Sequence, residues 1–408
     1  MCRTTTPPRP ASQKNIHDFP PNTTAGAVTP LLAYLMKYVT KFGDELIPDP
    51  PPTLPSDVNP DEYKHVPLSL WPLRKDDVSP YYAGVNDDDT DFSASLLKAA
   101  ALYAAGQLHA DALAALPGAT NSSTFLSSFK AAIKARVDST ADSRILSKHF
   151  PSGSPVGLYP NITNVLKFSG FGSPTGPKAD FTDNYKTQMS AMIVQSSDPA
   201  AAFCIDQLGY GYISTVLIER QFFISSASRG IWLAGDYANP NTYIRIPVMN
   251  DHPDAQNTTS RQMCRLFALI RLKKLPENDP DANTLMQNLL HEPKTGPGHT
   301  GPWLSPGRNP GTDFLFTVVA DKIGFAGLGT EQTPNVYSEG LIISWDDDDQ
   351  VDAFNKKIDP DDSHPEIHLS GEIAVCWQNY LADSFPDFRG IIKVINKSIS
   401  DFLDQKTL

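Results

Sequence analysis

The chain has 408 residues, 40% of them hydrophobic, which is enough to bury a core of one large domain or two. Its net charge of −12 and pI near 5.2, with no block of clustered Lys and Arg, argue against nucleic acid as a partner. Cys2, Cys204, Cys264 and Cys376 are widely spaced, with no CxxC pair, which disfavours a zinc ribbon or a disulfide scaffold. The last three lie in apolar stretches and read as buried thiols.

Residues 1–26 are rich in Pro, Thr and Asn and hold no period. The opening MCRTTTPPRPASQKN lacks the apolar core of a signal peptide, so a cytoplasmic protein is expected unless a leader was removed. Ala27 to Phe42 is apolar at helical spacing, and Asp49 to Asp61 (DPPPTLPSDVNPD) is a Pro-rich linker that can be neither helix nor central strand. Val66 to Pro72 and Tyr81 to Val85 are short enough to be strands.

Ser95 to Leu116 (SLLKAAALYAAGQLHADALAAL) is apolar nearly all round, the pattern of a helix buried inside a domain. Residues 120–220 read as helices and loops. The Gly/Pro/Ser stretch from Ser169 to Lys178 lacks the Gly-Lys-Ser/Thr end of a phosphate loop.

Thr258 to Leu275 is an amphipathic helix opened by a capping Thr and closed by Lys and Pro. Phe314 to Ala320, Glu339 to Trp345 and Glu372 to Trp377 read as strands, and Phe388 to Leu403 as a final helix. Asp346 to Asp349 reads as a solvated turn, because consecutive aspartates lack the alternate spacing of a calcium loop. His364 and His368 are four apart, but Pro365 puts them in a loop. No stretch approaches the roughly 18 apolar residues of a membrane span. Strands at both ends around a helical middle predict an α+β fold, a three-layer α/β/α sandwich whose antiparallel sheet draws on both chain ends.

Serine is a poor nucleophile until a base takes its proton. A lysine three residues later on a helix shares its face, so amine and hydroxyl can meet. Ser95 and Lys98 have this spacing at a helix start, where exposed N–H groups favour a developing oxyanion. Ser127 and Lys130 have it too, since a chain this long carries roughly one such pair by chance. Their helix is charged and superficial, whereas a lysine base must be partly desolvated, so Ser95 is preferred.

Three segments, FSASLLKAAALYAAGQL, AMIVQSSDPAAAFCIDQL and VVADKIGFAGLG, resemble in order the three motifs of the penicillin-binding-protein and class A β-lactamase family. The helix around TTSRQMCRLFALI is similar to the one between that family's second and third motifs, and the resemblance spans roughly residues 80–405. It implies a β-lactamase/transpeptidase-like domain over 61–408, with a helical subdomain at about 117–300 and residues 1–60 as an extension. Ser95 would be the acylated nucleophile, Lys98 its base, and Ser197 a proton relay to the leaving group. Lys322 would supply positive charge from the edge strand. The backbone N–H groups of Ser95 and Phe325 would form the oxyanion hole, with Gly324 and Asp198 lining the substrate site.

Lys294-Thr295-Gly296 matches the third motif by letter but lies among Pro and Gly, which preclude a strand. Pro199 stands where the family has Asn, and Ile323 where it has a hydroxyl that binds a substrate carboxylate. Between Gly230 and Asn257 there is no glutamate to activate a deacylating water, which argues against efficient β-lactam hydrolysis. Asp236 or Tyr237 could substitute as a base. The reading is an acyl-serine hydrolase for a small-molecule or peptide ester or amide, with neither metal nor cofactor. The alternative is an impaired fold acting as a binding or scaffold protein.

Overall fold

Two lengths of chain more than two hundred residues apart pair into one sheet, because each end carries strands whose alternate residues are apolar. The computed structural model describes residues 30–46, 66–150, 154, 156–235, 237, 243–248, 255–295, 301–327 and 335–406. Residues 1–26, the Pro-rich stretch 49–61, Asp236 and Gly296 lie outside them, and so does Cys2.

The front of the chain forms α1 (Pro30–Lys41), β1 (Leu68–Arg74), β2 (Ala83–Val85) and β3 (Asp91–Phe92). A 3-10 turn, Ala94–Leu97, then runs directly into α2 (Lys98–Ala115). The middle holds α3 (Ser122–Thr140), α4 (Ser143–Leu146), α5 (Ile162–Val165), and the hairpin β4 (Leu166–Ser169) and β5 (Lys178–Phe181). After it come α6 (Asp183–Val194), α7 (Asp198–Leu208) and α8 (Tyr210–Glu219). Short strands β6 (Phe223–Ile224), β7 (Arg229–Gly230), β8 (Trp232–Leu233) and β9 (Gln256–Thr258) precede α9 (Ser260–Arg271) and α10 (Pro280–His291). The back supplies β10 (Phe316–Gly327), β11 (Asn335–Trp345), α11 (Asp348–Ile358), β12 (Leu369–Ala382) and α12 (Arg389–Asp404).

The main sheet is antiparallel throughout, in the order β10-β11-β12-β1-β2. Its strands alternate between two cores. Leu68 and Leu70 join Ile323, Leu341, Val375 and Trp377 in a cluster under α1 and α12. From the opposite face Ser69 meets Ser260 of α9 at 3.0 Å, and Ala374 and Cys376 join the core around α2. Helices therefore cover both faces, and the three-layer α+β expectation holds.

Helix α2 is buried from Lys98 to Ala110, so it runs through the helical half as its central rod. Cys204, Cys264 and Cys376 are buried free thiols, as their surroundings foretold.

Four details differ from the sequence reading. Ser95 lies on the 3-10 turn, and the α-helix begins at Lys98. Asp346 to Asp349 is the start of α11 rather than a plain turn: the Asp347 side chain accepts Gln350 N–H at 3.1 Å, and Asp348 and Asp349 occupy the first turn. Their negative charge favours the exposed N–H groups and the positive end of the helix. Helix α10, opened by an Asp279 cap and Pro280, was not anticipated. Finally, α1 is no loose extension. Leu31, Leu32 and Leu35 are buried, and the Tyr38 hydroxyl donates to Asp401 of α12, so a boundary at residue 60 would cut a packed layer.

Candidate active site

Between residues 87 and 110 only Ser95 escapes full burial, so the chain presents one hydroxyl at the head of a buried helix. The turn that carries it is held from three sides. Ser93 N–H donates to Gln256 O at 3.1 Å, and Tyr237 OH donates to Ala94 O at 2.9 Å. Ser93 Oγ donates to Gln378 Oε1 at 3.1 Å. The Gln378 amide in turn donates to Asp89 O, Asp91 Oδ2 and Thr258 O, fastening the turn to β12. Gly324 of the edge strand β10 packs against Ser93 O and Leu96 N, where any Cβ would overlap backbone. The strand thus passes directly beside the turn that carries Ser95.

Lys98 Nζ lies 2.8 Å from Ser95 Oγ, 2.6 Å from Ser196 O, 2.6 Å from Asp198 Oδ1 and 3.3 Å from Ser196 Oγ. Two of these partners, a carbonyl and a carboxylate, can only accept, so they take two of the nitrogen's hydrogens. The remaining position is shared by two hydroxyls, Ser95 Oγ at 2.8 Å and the more distant Ser196 Oγ at 3.3 Å. It is an N–H while the group is an ammonium, and a lone pair that accepts the Ser95 proton once it is an amine. Burial lowers the Lys98 pKa below the usual lysine range, while Asp198 pulls the other way. The ring of Tyr237 lies 4.7 Å from the same nitrogen.

Lys322 comes from β10 on the far side of the second serine. Its Nζ donates to Ser196 Oγ at 2.8 Å and to Ile323 O at 2.8 Å. Burial and then the neighbouring Lys98 charge push its pKa well below the usual range, against Asp321. Ser196 Oγ therefore bridges two lysines whose like charges oppose one another.

The bridging hydroxyl is a correction. Ser197, named from the sequence, turns away and caps α7, its Oγ accepting Ala200 N–H at 3.3 Å. Ser196 occupies the central position, with φ of 52° in the left-handed region. Ala94 and Tyr237 share that region, at φ 49° and 67°. Three strained non-glycine residues around Ser95 mark a geometry that the surrounding packing enforces.

The remaining residues are placed as follows. Asp198 binds Lys98 and its side chain is 60% exposed. Asp198, and not Pro199, stands two places after the bridging serine. Ile323 packs into the core under α1 and α12, and Phe325 is 48% exposed.

Lys294, the rival third-motif lysine, donates to the carbonyls of Leu289, Leu290 and Glu292 at the end of α10. It also pairs with Asp321 at 3.7 Å. Ser127 and Lys130 are exposed on α3. His368, half-buried, groups with buried Asp359 and exposed Asp362, away from any contact with Ser95 that the structure shows. The sequence reading missed Ser196 by one residue, and it missed Gln378, which no motif signals.

No family model matches the chain, and no curated protein does. Among solved structures, a β-lactamase from Chitinophaga pinensis superposes with a TM-score of 0.47 at 10% identity, covering 91% of this chain and 99% of that one. A β-lactamase from Desulfarculus baarsii gives 0.44 at 15% identity, covering 92% and 99%. The fold of this chain resembles that of β-lactamases, at a similarity too slight to carry residue roles across.

Proposed function

We propose that the chain is an acyl-serine hydrolase acting on an ester or amide. One observation carries the reading: Lys98 has two hydrogens engaged by acceptor-only oxygens, and of the two hydroxyls beside its remaining position Ser95 Oγ is the nearer, at 2.8 Å against 3.3 Å for Ser196 Oγ. A buried lysine with a lowered pKa in that arrangement is suited to act as a general base.

In the first step Ser95 Oγ bonds to the substrate carbonyl carbon as its proton passes to the Lys98 lone pair. The oxyanion is received by the backbone N–H groups of Ser95 and Phe325, at the N-terminal end of the turn that continues into α2. Collapse of the tetrahedral intermediate breaks the bond to the leaving alcohol or amine. That group takes the proton of Ser196 Oγ, which a lysine ammonium replaces. Water then attacks the acyl-enzyme, returning Ser95 and releasing the acid. Asp198 stabilises the ammonium form of Lys98, so less of the free amine is present than burial alone would give. Penicillins are expected to turn over poorly, because no glutamate lies between Gly230 and Asn257 to activate a deacylating water.

A second reading, a binding protein on an impaired hydrolase fold, draws support from the same Asp198–Lys98 pair, which opposes the free amine. Intact mass after exposure to a fluorophosphonate separates the two. One adduct on the peptide containing Ser95, absent in Ser95→Ala, supports the hydrolase. Labelling at Ser127, or none, rejects it.

A further inference from the structure

The charged groups that meet at Ser95 differ sharply in what they show to solvent. Lys98 and Lys322 are buried, at 0% and 1% exposure, whereas the side chain of Asp198 is 60% exposed. Lys322 has given two of its three donors to Ser196 Oγ and Ile323 O. At 1% exposure it presents almost no surface to solvent. Ile323 supplies no hydroxyl and faces the opposite core.

The start of α7 could attract an anion through its N–H groups. Ser197 Oγ already engages one of them, and Asp198 places its own carboxylate in the first turn. Among the described charged groups that meet at Lys98 and Ser196, the one open to solvent is therefore the negative Asp198.

Asp198 is near enough to act on the acyl group itself. Its Oδ1 is bonded to the nitrogen that is bonded to Ser95 Oγ, two hydrogen-bond lengths from the reacting atom. The second carboxylate oxygen accepts no bond from any described residue. A donor on the carbon next to the scissile carbonyl would lie within its reach. The face of the Tyr237 ring, which already lies against the Lys98 nitrogen at 4.7 Å, adds a surface that tolerates positive charge.

We infer that Asp198 is a specificity-determining residue that selects acyl groups bearing an α-ammonium, so that the substrates are esters or amides of α-amino acids with a free amino group. The inference rests on the hydrolase reading above. Charge-assisted hydrogen bonds are among the strong ones, and a substrate carboxylate in the same place would be repelled.

The test compares phenyl esters of glycine, acetic acid and succinic acid, with each kcat/KM divided by that ester's rate of hydroxide hydrolysis. Wild-type protein should prefer the glycyl over the acetyl ester by at least tenfold after this correction, and the succinyl ester should be worst. Asp198→Asn, which keeps an oxygen on Lys98, should lower the glycyl-to-acetyl ratio by at least tenfold. A ratio that Asp198→Asn leaves unchanged, or a wild-type preference for the succinyl ester, overturns the inference.

Should that variant fail to fold, competition on the wild type decides. Aminomethylboronic acid should protect Ser95 from fluorophosphonate labelling at a concentration at least tenfold lower than methylboronic acid does. Equal protection overturns the inference while leaving Ser95 as a labelled nucleophile. No labelling and no ester turnover removes the hydrolase reading, and the inference with it.

Discussion

Ser196 and Ser197 are adjacent, both hydroxylic and both half-buried, yet the structure gives them separable duties. Ser196 Oγ accepts from Lys322 at 2.8 Å and lies 3.3 Å from Lys98, whereas Ser197 Oγ accepts from a helix N–H. Hydrogen bonds to charged groups contribute about 1.5–3 kcal/mol, so removing the bridge should slow Ser95 acylation by about 10- to 150-fold. Ser197→Ala removes a helix cap instead, a loss of about 0.5–2 kcal/mol in stability with acylation nearly unchanged.

Backbone strain supplies an internal control. At φ 52° a residue with a Cβ is strained and glycine is not. Ser196→Gly should therefore be more stable than Ser196→Ala by about 1 kcal/mol while being equally slow. The assay is the second-order rate of fluorophosphonate labelling, set beside thermal unfolding for the three variants. If Ser197→Ala slows labelling tenfold and Ser196→Ala does not, the assignment of the bridge is wrong.

Asp198→Asn removes the carboxylate that raises the Lys98 pKa, so the acid limb of the pH–rate profile should move to lower pH. A limb that stays put, or moves to higher pH, counts against Lys98 as the base. Lys322→Ala should slow labelling well over tenfold, in line with about 2–4 kcal/mol for one electrostatic contact to the transition state. Lys294→Ala should instead lower the unfolding temperature, since it strips three carbonyls and a buried Asp321 of their partner. Equal losses of activity in the two lysine variants would refute that division. Burial raises the Glu339 carboxyl to about 8, against the N–H groups of Trp303 and Leu304 that draw it down. A carboxyl raised on folding binds its proton more tightly in the native state, so its contribution to stability falls as pH rises from its unfolded value toward the folded one. Relative to Glu339→Gln, the wild type should lose about 3–5 kcal/mol between pH 4.5 and 8 in denaturant titrations, and parallel curves would contradict this.

Much of this architecture was legible because burial writes itself into periodicity. The run from Ser95 to Leu116 announced a central helix by being apolar on every side, and the structure buries it from Lys98 to Ala110. The back strands announced themselves by β-branched and aromatic runs and appear in one antiparallel sheet. Helix α11 did not, because its strongest signal is four aspartates. Their preference for a helix start looks the same in sequence as a preference for water.

The one-residue error at Ser196 has the same root. A three-letter motif records order, but which of two neighbouring serines enters the cleft is fixed by backbone conformation. Here the chain turns through φ 52° at Ser196 before α7 begins, and that turn hands the cap to Ser197 and the bridge to Ser196. The shift also changes which departure from the family pattern matters. The residue two places after the bridging serine is Asp198 and not Pro199, so the second motif ends in a charge where an amide was expected. That charge reaches Lys98, the base in the proposed mechanism, at 2.6 Å while remaining open to solvent, and in that mechanism it would couple proton transfer at Ser95 to the sign of whatever occupies the cleft. A cationic acyl group bound at Asp198 would screen the carboxylate from Lys98, lower the amine's affinity for its proton, and so favour the free base when a matching substrate is in place.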